Sequence, residues 1–267
     1  MSGATAYMER YLNVEWKYAN QDYAVRVGKY LIALADDSEQ AERYVGAQRA
    51  RQRLLEQIRL ELKLAAPGNV PHTFRIEGRT FWLSDLEAGF RGKASPGMLA
   101  RVLWLATHYQ FIRRQDPAPP PAHKVPPTFA QNYADWYLGT DCSGFVNSFE
   151  GRAYPRHLTI EQYDGKPSER RRGAGEIVAG DLLIKTSAKK PYSHIAVVET
   201  VAVGGKEMRV KCVESLGDGG VGVTDTNVRL VDPNPLPKEV GAFRSLGKNA
   251  AGVVYYFQPA PGGAPVA

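Results

Sequence analysis

Hydrophobic spacing divides the chain into a helical first half and a strand-rich second half. Residues 1–65 read as helical. Between Asp22 and Leu34, Tyr23, Val25, Val27, Tyr30 and Leu31 alternate irregularly with polar residues. Ser38, followed by Glu39, suits the N-cap of a long helix from about Gln40 to Leu64. Tyr44, Leu55, Ile58 and Leu62 fall near one stripe of it. Phe74 to Leu83 reads FRIE, Gly78, TFWL, a short hairpin. Ser95-Pro96 then opens a helix whose apolar face is Met98, Leu99, Val102, Leu103 and Ala106.

Residues 117–127 hold six prolines, which favour an extended connector. Beyond them a helical stretch from Phe129 to Tyr137 leads into GTDCSGFVNSFEG. An irregular, charged segment follows from Arg152 to Gly175. Four strand-like runs come next: Asp181–Lys185, His194–Thr200, Arg209–Ser215 and Gly252–Phe257. Helices first and an antiparallel sheet afterwards make an α+β plan. Its parts are a mainly helical region over 1–116, the connector over 117–127, a second unit over 128–258 and a flexible tail over 259–267.

Composition narrows the class. The 267 residues are 43% hydrophobic and 23% charged, which excludes a wholly disordered or collagen-like chain. No eighteen-residue apolar run is present, so no membrane-inserted helix is expected. The N-terminus lacks a basic-then-apolar signal layout, so cytoplasmic synthesis is expected, with any export by a specialised route. The net charge of +6 is spread along the chain and does not demand nucleic acid. Arg49, Arg51, Arg53 and Arg59 share their helix with Glu42, Glu56 and Glu61, the pattern of a solvated face. Two cysteines, Cys142 and Cys212, form neither a disulfide scaffold nor a zinc knuckle, though one bridge is compatible with the count. No metal constellation and no phosphate-binding glycine loop is present, so no cofactor is expected.

The chemistry concentrates around Cys142. Asp141 or Thr140 can cap the helix that follows, which puts Cys142 in its first turn. Free backbone N–H groups and the helix dipole favour an anionic sulfur there. An Asp141 carboxylate opposes this, so an imidazolium partner must outweigh it. Cys212 has no capping turn before it and reads as an inert core residue. Of the five histidines, His194 opens a strand and shares a face with small Ala196, while His157 is a weaker rival in an irregular segment. A turn at Gly204-Gly205 would pair the strands of His194 and Glu214, so that Glu214 could orient the ring. Asp218 and Asp225 are alternatives for that role.

Three stretches, Asp141–Val146 (DCSGFV), Ala179–Ile184 (AGDLLI) and Ser193–Val198 (SHIAVV), together resemble the ordered landmarks of the NlpC-type papain-like peptidases. The resemblance covers roughly residues 129–257. Enzymes of that family cut peptide stems of peptidoglycan, often between γ-D-glutamate and a diamino acid. The resemblance implies a papain-like helix plus antiparallel sheet, with Cys142 as nucleophile, His194 as base and Glu214 as the third polar residue, where the family often has His. A tyrosine precedes the family's cysteine; Tyr133, Trp136 or Tyr137 could fill its place. Asp141, Ser143, Tyr133 and Tyr137 are therefore the expected substrate-binding residues. Arg170, Arg171 and Arg172 could meet substrate carboxylates, or simply form a solvated loop tip.

The implied reaction is thiolate attack on an amide carbonyl, with the Cys142 N–H and a tyrosine hydroxyl holding the oxyanion. The expected partner is a peptidoglycan stem peptide. An antibacterial effector handed over by a secretion machinery such as type VI, with an inhibitor (immunity) protein, or a phage lysis enzyme, would fit such a chain. A papain-like acyltransferase and a non-catalytic binding module are the competing classes.

Overall fold

The computed structural model describes residues 3–31, 38–112, 127–165, 167–187, 192–205, 207–216, 220–230, 242–246 and 253–261. Most of the proline-rich connector, His123 and Asp218 lie outside these residues, as does the tail beyond position 261. The architecture is α+β: seven α-helices among the described residues, two small hairpins and an antiparallel six-stranded closed barrel.

The first departure from the sequence expectation comes early. Helix α1 (Ala4–Leu12) is followed by strands β1 (Val14–Tyr18) and β2 (Gln21–Val25), not by further helix. Ala19 and Asn20 take φ of 48° and 61°, the left-handed pair of a two-residue hairpin turn. In β1, Val14 and Trp16 point inward while Glu15 and Lys17 point out. A period of two over five residues thus outweighed the helical look of the surrounding composition.

The long helix α2 (Ser38–Glu61) begins at Ser38 itself, and its buried stripe is Ala47, Ala50, Leu54 and Ile58. Arg51 and Arg59 are engaged by Glu87 and Glu56. The hairpin β3–β4 (Thr73–Ile76, Arg79–Trp82) turns at Glu77-Gly78, both at positive φ. It leads into α3 (Leu83–Gly89) and α4 (Pro96–His108), and Ser95 caps α4 by accepting from the Met98 N–H.

Helix α5 (Pro127–Tyr137) precedes α6 (Cys142–Phe149). The segment from Arg152 to Gly175 is ordered by α7 (Ile160–Tyr163), which carries a Thr159/Gln162 capping box. Buried Asn147 clamps this segment, donating to Leu158 O and accepting from the Leu158 N–H. Arg170 forks onto Asp164, and Arg171 onto Asp181. These two arginines brace the insertion internally and are not a free loop tip. Asp181 in turn accepts from the Val178 N–H at the entry to the barrel.

The barrel runs β10-β5-β6-β7-β8-β9. Strands β5 (Leu182–Ser187), β6 (His194–Gly204), β7 (Glu207–Leu216) and β10 (Val253–Gln258) match the four expected runs. Strands β8 (Gly220–Leu230) and β9 (Ala242–Ser245) were not expected. The β8 sequence, GVGVTDTNVRL, is rich in residues that strands disfavour. It forms through continuous pairing with β7 from Leu216↔Gly220 to Glu207↔Arg229. Period-two alternation decides the two faces. Leu183, Ala196, Val198, Val210, Cys212, Phe243 and Phe257 fill the interior, while Leu182, Ile184, Ile195, Val197, Val213 and Val221 face the helices.

Those outward residues join a core that draws on both sides of the proline-rich stretch. Tyr7 and Tyr11 of α1 pack their rings against Phe145 of α6, and Tyr7 also meets Phe149. The Tyr7 hydroxyl bonds to Ser148, and the Tyr11 hydroxyl donates to Ala94 O. Among the described residues no helix is long and apolar enough to cross a membrane.

Candidate active site

Helix α6 is seated by its cap. Asp141 adopts extended backbone geometry, and its Oδ1 accepts from the Gly144 N–H at 2.6 Å. Cys142 therefore opens the helix, in the turn whose N–H groups have no intrahelical acceptor. Two backbone bonds fix this mouth from the first half of the chain: Asp141 N–H to Gly92 O at 2.9 Å, and Thr140 N–H to Lys29 O at 3.0 Å. A third tie comes from the barrel, where Ser215 Oγ donates to Thr140 O at 2.6 Å.

These contacts leave no room for side chains at the crossing points. A Cβ at Gly144 would stand 2.1 Å from Gly92 O. Gly92 has φ +73°, and a Cβ there would stand 2.2 Å from Leu31 O. The extended segment Gly28–Leu31 is thus threaded between the α6 mouth and β8, where the Val221 N–H donates to Gly28 O. That threading delivers Tyr30 to the site.

Strand register supplies the second group. β6 pairs with β7 with Val197 opposite Val213, so His194 and Glu214 share a face, one diagonal step apart. His194 Nε2 bonds to Glu214 Oε2, and Thr224 Oγ1 donates to Glu214 Oε1. Cys142 lies close enough to His194 to favour its protonated ring. With Nε2 engaged by Glu214, Nδ1 is the ring nitrogen that remains for the sulfur. Burial would lower the His194 pKa, but the influence of nearby Cys142 and the bond to Glu214 outweigh it and hold the ring at about 9. Glu214, although buried, is pulled below the ordinary carboxylate value by His194 and Thr224. The ring is therefore an imidazolium at neutral pH.

Tyr30 completes the immediate surroundings. It lines the cleft beside Cys142. Burial and the nearby Cys142 and Asp141 push its pKa well above the usual phenol value. It stays an O–H donor beside the sulfur.

The expected substrate-binding residues divide. Asp141 and Ser143 line the cleft, but both point into a local network with Lys93. The Lys93 ammonium lies 2.6 Å from Asp141 Oδ2 and 2.6 Å from Ser143 Oγ. Tyr133 and Tyr137 are elsewhere. They line a separate hollow of about 550 Å³ with Arg53 and Phe111, between α2 and α5. The tyrosine at Cys142 is Tyr30, because the chain reaches the site from the N-terminal side and not from α5. Trp136 is exposed on the far face of α5. His157, the rival base, donates Nε2–H to Arg152 O at 3.0 Å. Burial and the Lys93 charge push its pKa down to about 4, so it is neutral and braces the cleft wall. Cys212 is in the barrel interior, and both cysteines are free. Burial, with Glu214 and Asp225 nearby, pushes the Cys212 thiol well up. Asp225 is exposed and forked by Arg209.

The cleft over Cys142 encloses about 840 Å³ and runs between Tyr30, Tyr44, Arg91 and Lys93 on one wall and the Tyr154–Glu161 segment on the other. That volume suits a short peptide or a molecule of similar size. Among the described residues no cluster of three or more His, Cys, Asp or Glu side chains is placed to hold a metal. Comparison of the chain with protein-family models, with curated proteins and with solved structures gave no match in any of the three.

Proposed function

We propose that this protein is a cysteine peptidase or amidase. The observation that carries the reading is the line Cys142–His194–Glu214, laid from a helix mouth to two adjacent strands and opening on a cleft. In the proposed reaction the Cys142 sulfur adds to an amide carbonyl carbon. The carbonyl electrons move to oxygen, which the Cys142 N–H and the Tyr30 hydroxyl hold by hydrogen bonds. His194 gives its Nδ1 proton to the departing nitrogen, the C–N bond breaks, and a thioester remains. Water then attacks the thioester, His194 takes up its proton, and the sulfur leaves as the anion. Glu214, braced by Thr224, keeps the ring oriented throughout and stabilises the imidazolium before proton transfer and after the water's proton is taken up.

The substrate class follows from the sequence landmarks, which resemble the NlpC-type peptidases: the proposed target is a peptidoglycan stem peptide, cut at a bond such as γ-D-glutamyl–diamino acid. Mass spectrometry of muropeptide digests tests it. Purified protein should release new amine termini, Cys142→Ala should release none, and Tyr30→Phe should lower kcat by about 10²-fold, the usual effect of losing one oxyanion donor. Unchanged muropeptides, or the same products from Cys142→Ala, would overturn the reading. Acyl transfer to an added amine without net hydrolysis would assign the same residues to a transferase.

A further inference from the structure

The residue before the nucleophile is an aspartate, and its carboxylate is needed where it stands. Asp141 Oδ1 holds the Gly144 N–H at 2.6 Å and also accepts from Ser143 Oγ at 3.1 Å. It is 5% exposed. Left alone, this cap would place a buried negative charge next to a sulfur that must itself become negative. The second oxygen of the same carboxylate is bound by a cation from the first half of the chain. Lys93 Nζ lies 2.6 Å from Asp141 Oδ2 and donates to Ser143 Oγ at 2.6 Å.

The Lys93 backbone is held on several sides. Its own N–H donates to Ala88 O, the preceding Gly92 O accepts from the Asp141 N–H, and the following Ala94 O accepts from the Tyr11 hydroxyl. The ammonium is therefore delivered by fixed backbone and not by a free surface side chain.

We propose that Lys93 is a positioning residue of this site, which acts through Asp141: it neutralises the cap so that the cap can seat Cys142 without repelling its anionic form. Lys93 engages Asp141 Oδ2 and the Ser143 hydroxyl, while the Gly144 N–H and Ser143 Oγ engage Asp141 Oδ1. Lys93 and its neighbour Arg91 give this wall of the cleft a positive edge. The inference rests on Cys142 being a nucleophile, and not on which bond it attacks.

Its test needs no substrate. The rate of Cys142 alkylation by iodoacetamide is measured at pH 7 on the full-length purified protein, by mass spectrometry of the Cys142 peptide, with buried Cys212 as the internal reference. Lys93→Met should slow alkylation by at least about threefold, the scale of removing one partly exposed countercharge. Lys93→Arg should restore it. The deciding variant is Lys93→Met combined with Asp141→Asn, because asparagine still caps a helix but carries no charge. If Lys93 acts through the cap charge, the Lys93→Met penalty should largely vanish in the Asp141→Asn background. The same penalty in both backgrounds, or no penalty in the wild-type one, would overturn the proposal. Thermal melts of each variant separate loss of the fold from loss of reactivity. A protein that passes this test yet leaves muropeptides intact would retain the positioning role and lose only the peptidase reading.

Discussion

His194 carries the clearest pH signature of any residue here. Its pKa of about 9 lies above the ordinary 6.5, so folding stabilises the protonated ring. That contribution is complete below about pH 6.5 and is lost as pH rises through about 9. Glu214 is shifted the other way, so its contribution is present above the ordinary carboxylate range and lost as pH falls through its lowered value. Thermal melting across roughly pH 5 to 10 should therefore show a decline between 6.5 and 9 that His194→Gln removes. Parallel curves for wild type and variant would contradict the coupling. The same titration should give any hydrolytic rate a falling alkaline limb near 9, since the leaving nitrogen needs the ring proton. Cys142, His194 and Glu214 were legible because each depends on local rules: a capped helix start, a strand period and a hairpin register. Tyr30, Lys93 and Thr224 were not legible. Tyr30 and Lys93 reach the site only through tertiary crossings far from Cys142 in sequence, and the strand that carries Thr224 loses its apolar alternation between Val223 and Val228.

Among the elements, α6 is the one whose position matters most, and it is set by backbone touching backbone. A methyl group at position 144 would stand 2.1 Å from Gly92 O, so helix and loop must separate. Gly144→Ala should destabilise the fold by about 1–3 kcal/mol, the scale of overpacking, and should displace Cys142 from His194. Urea unfolding with iodoacetamide reactivity measures both. Gly175→Ala is the control, since nothing lies within 4 Å of a Cβ there; it should change stability by less than about 0.5 kcal/mol. If the two substitutions cost the same, close approach at the α6 mouth is not what fixes it. The tetrapeptide around Cys142 showed that a glycine was present but not what it approached. Elements with strong periodicity were legible: α2, α4, the β3–β4 hairpin and the four apolar strands. Those that depend on a neighbour were not. β8 is a strand because β7 pairs along its whole length, and β1–β2 because two residues take positive φ.

At the scale of the molecule, the composition change at the proline-rich stretch suggested a catalytic unit confined to residues 128–258. Helix α1 forms the back of α6 through Tyr7 and Tyr11. The Gly28–Leu31 segment bonds to both Thr140 and Val221, and the Gly92–Lys93 turn holds the Asp141 cap. A fragment beginning at position 127 would strip Tyr7 and Tyr11 from Phe145 and Phe149, which are 4% exposed or less in the whole chain. At about 1.5–3 kcal/mol for each large apolar side chain, that exposure is a large part of the stability of a typical domain. The fragment 127–267 should therefore lack a cooperative thermal transition, bind a hydrophobic dye, and show no enhanced alkylation of Cys142 over a free thiol. Adding residues 1–126 as a separate chain should recover part of both properties, because the contacts it restores are large and apolar. A fragment that melts cooperatively near the full-length midpoint, with reactive Cys142, would show that the first half shields a site already complete without it. The structure argues for the opposite arrangement, in which the first half supplies Tyr30 and Lys93 to the site itself.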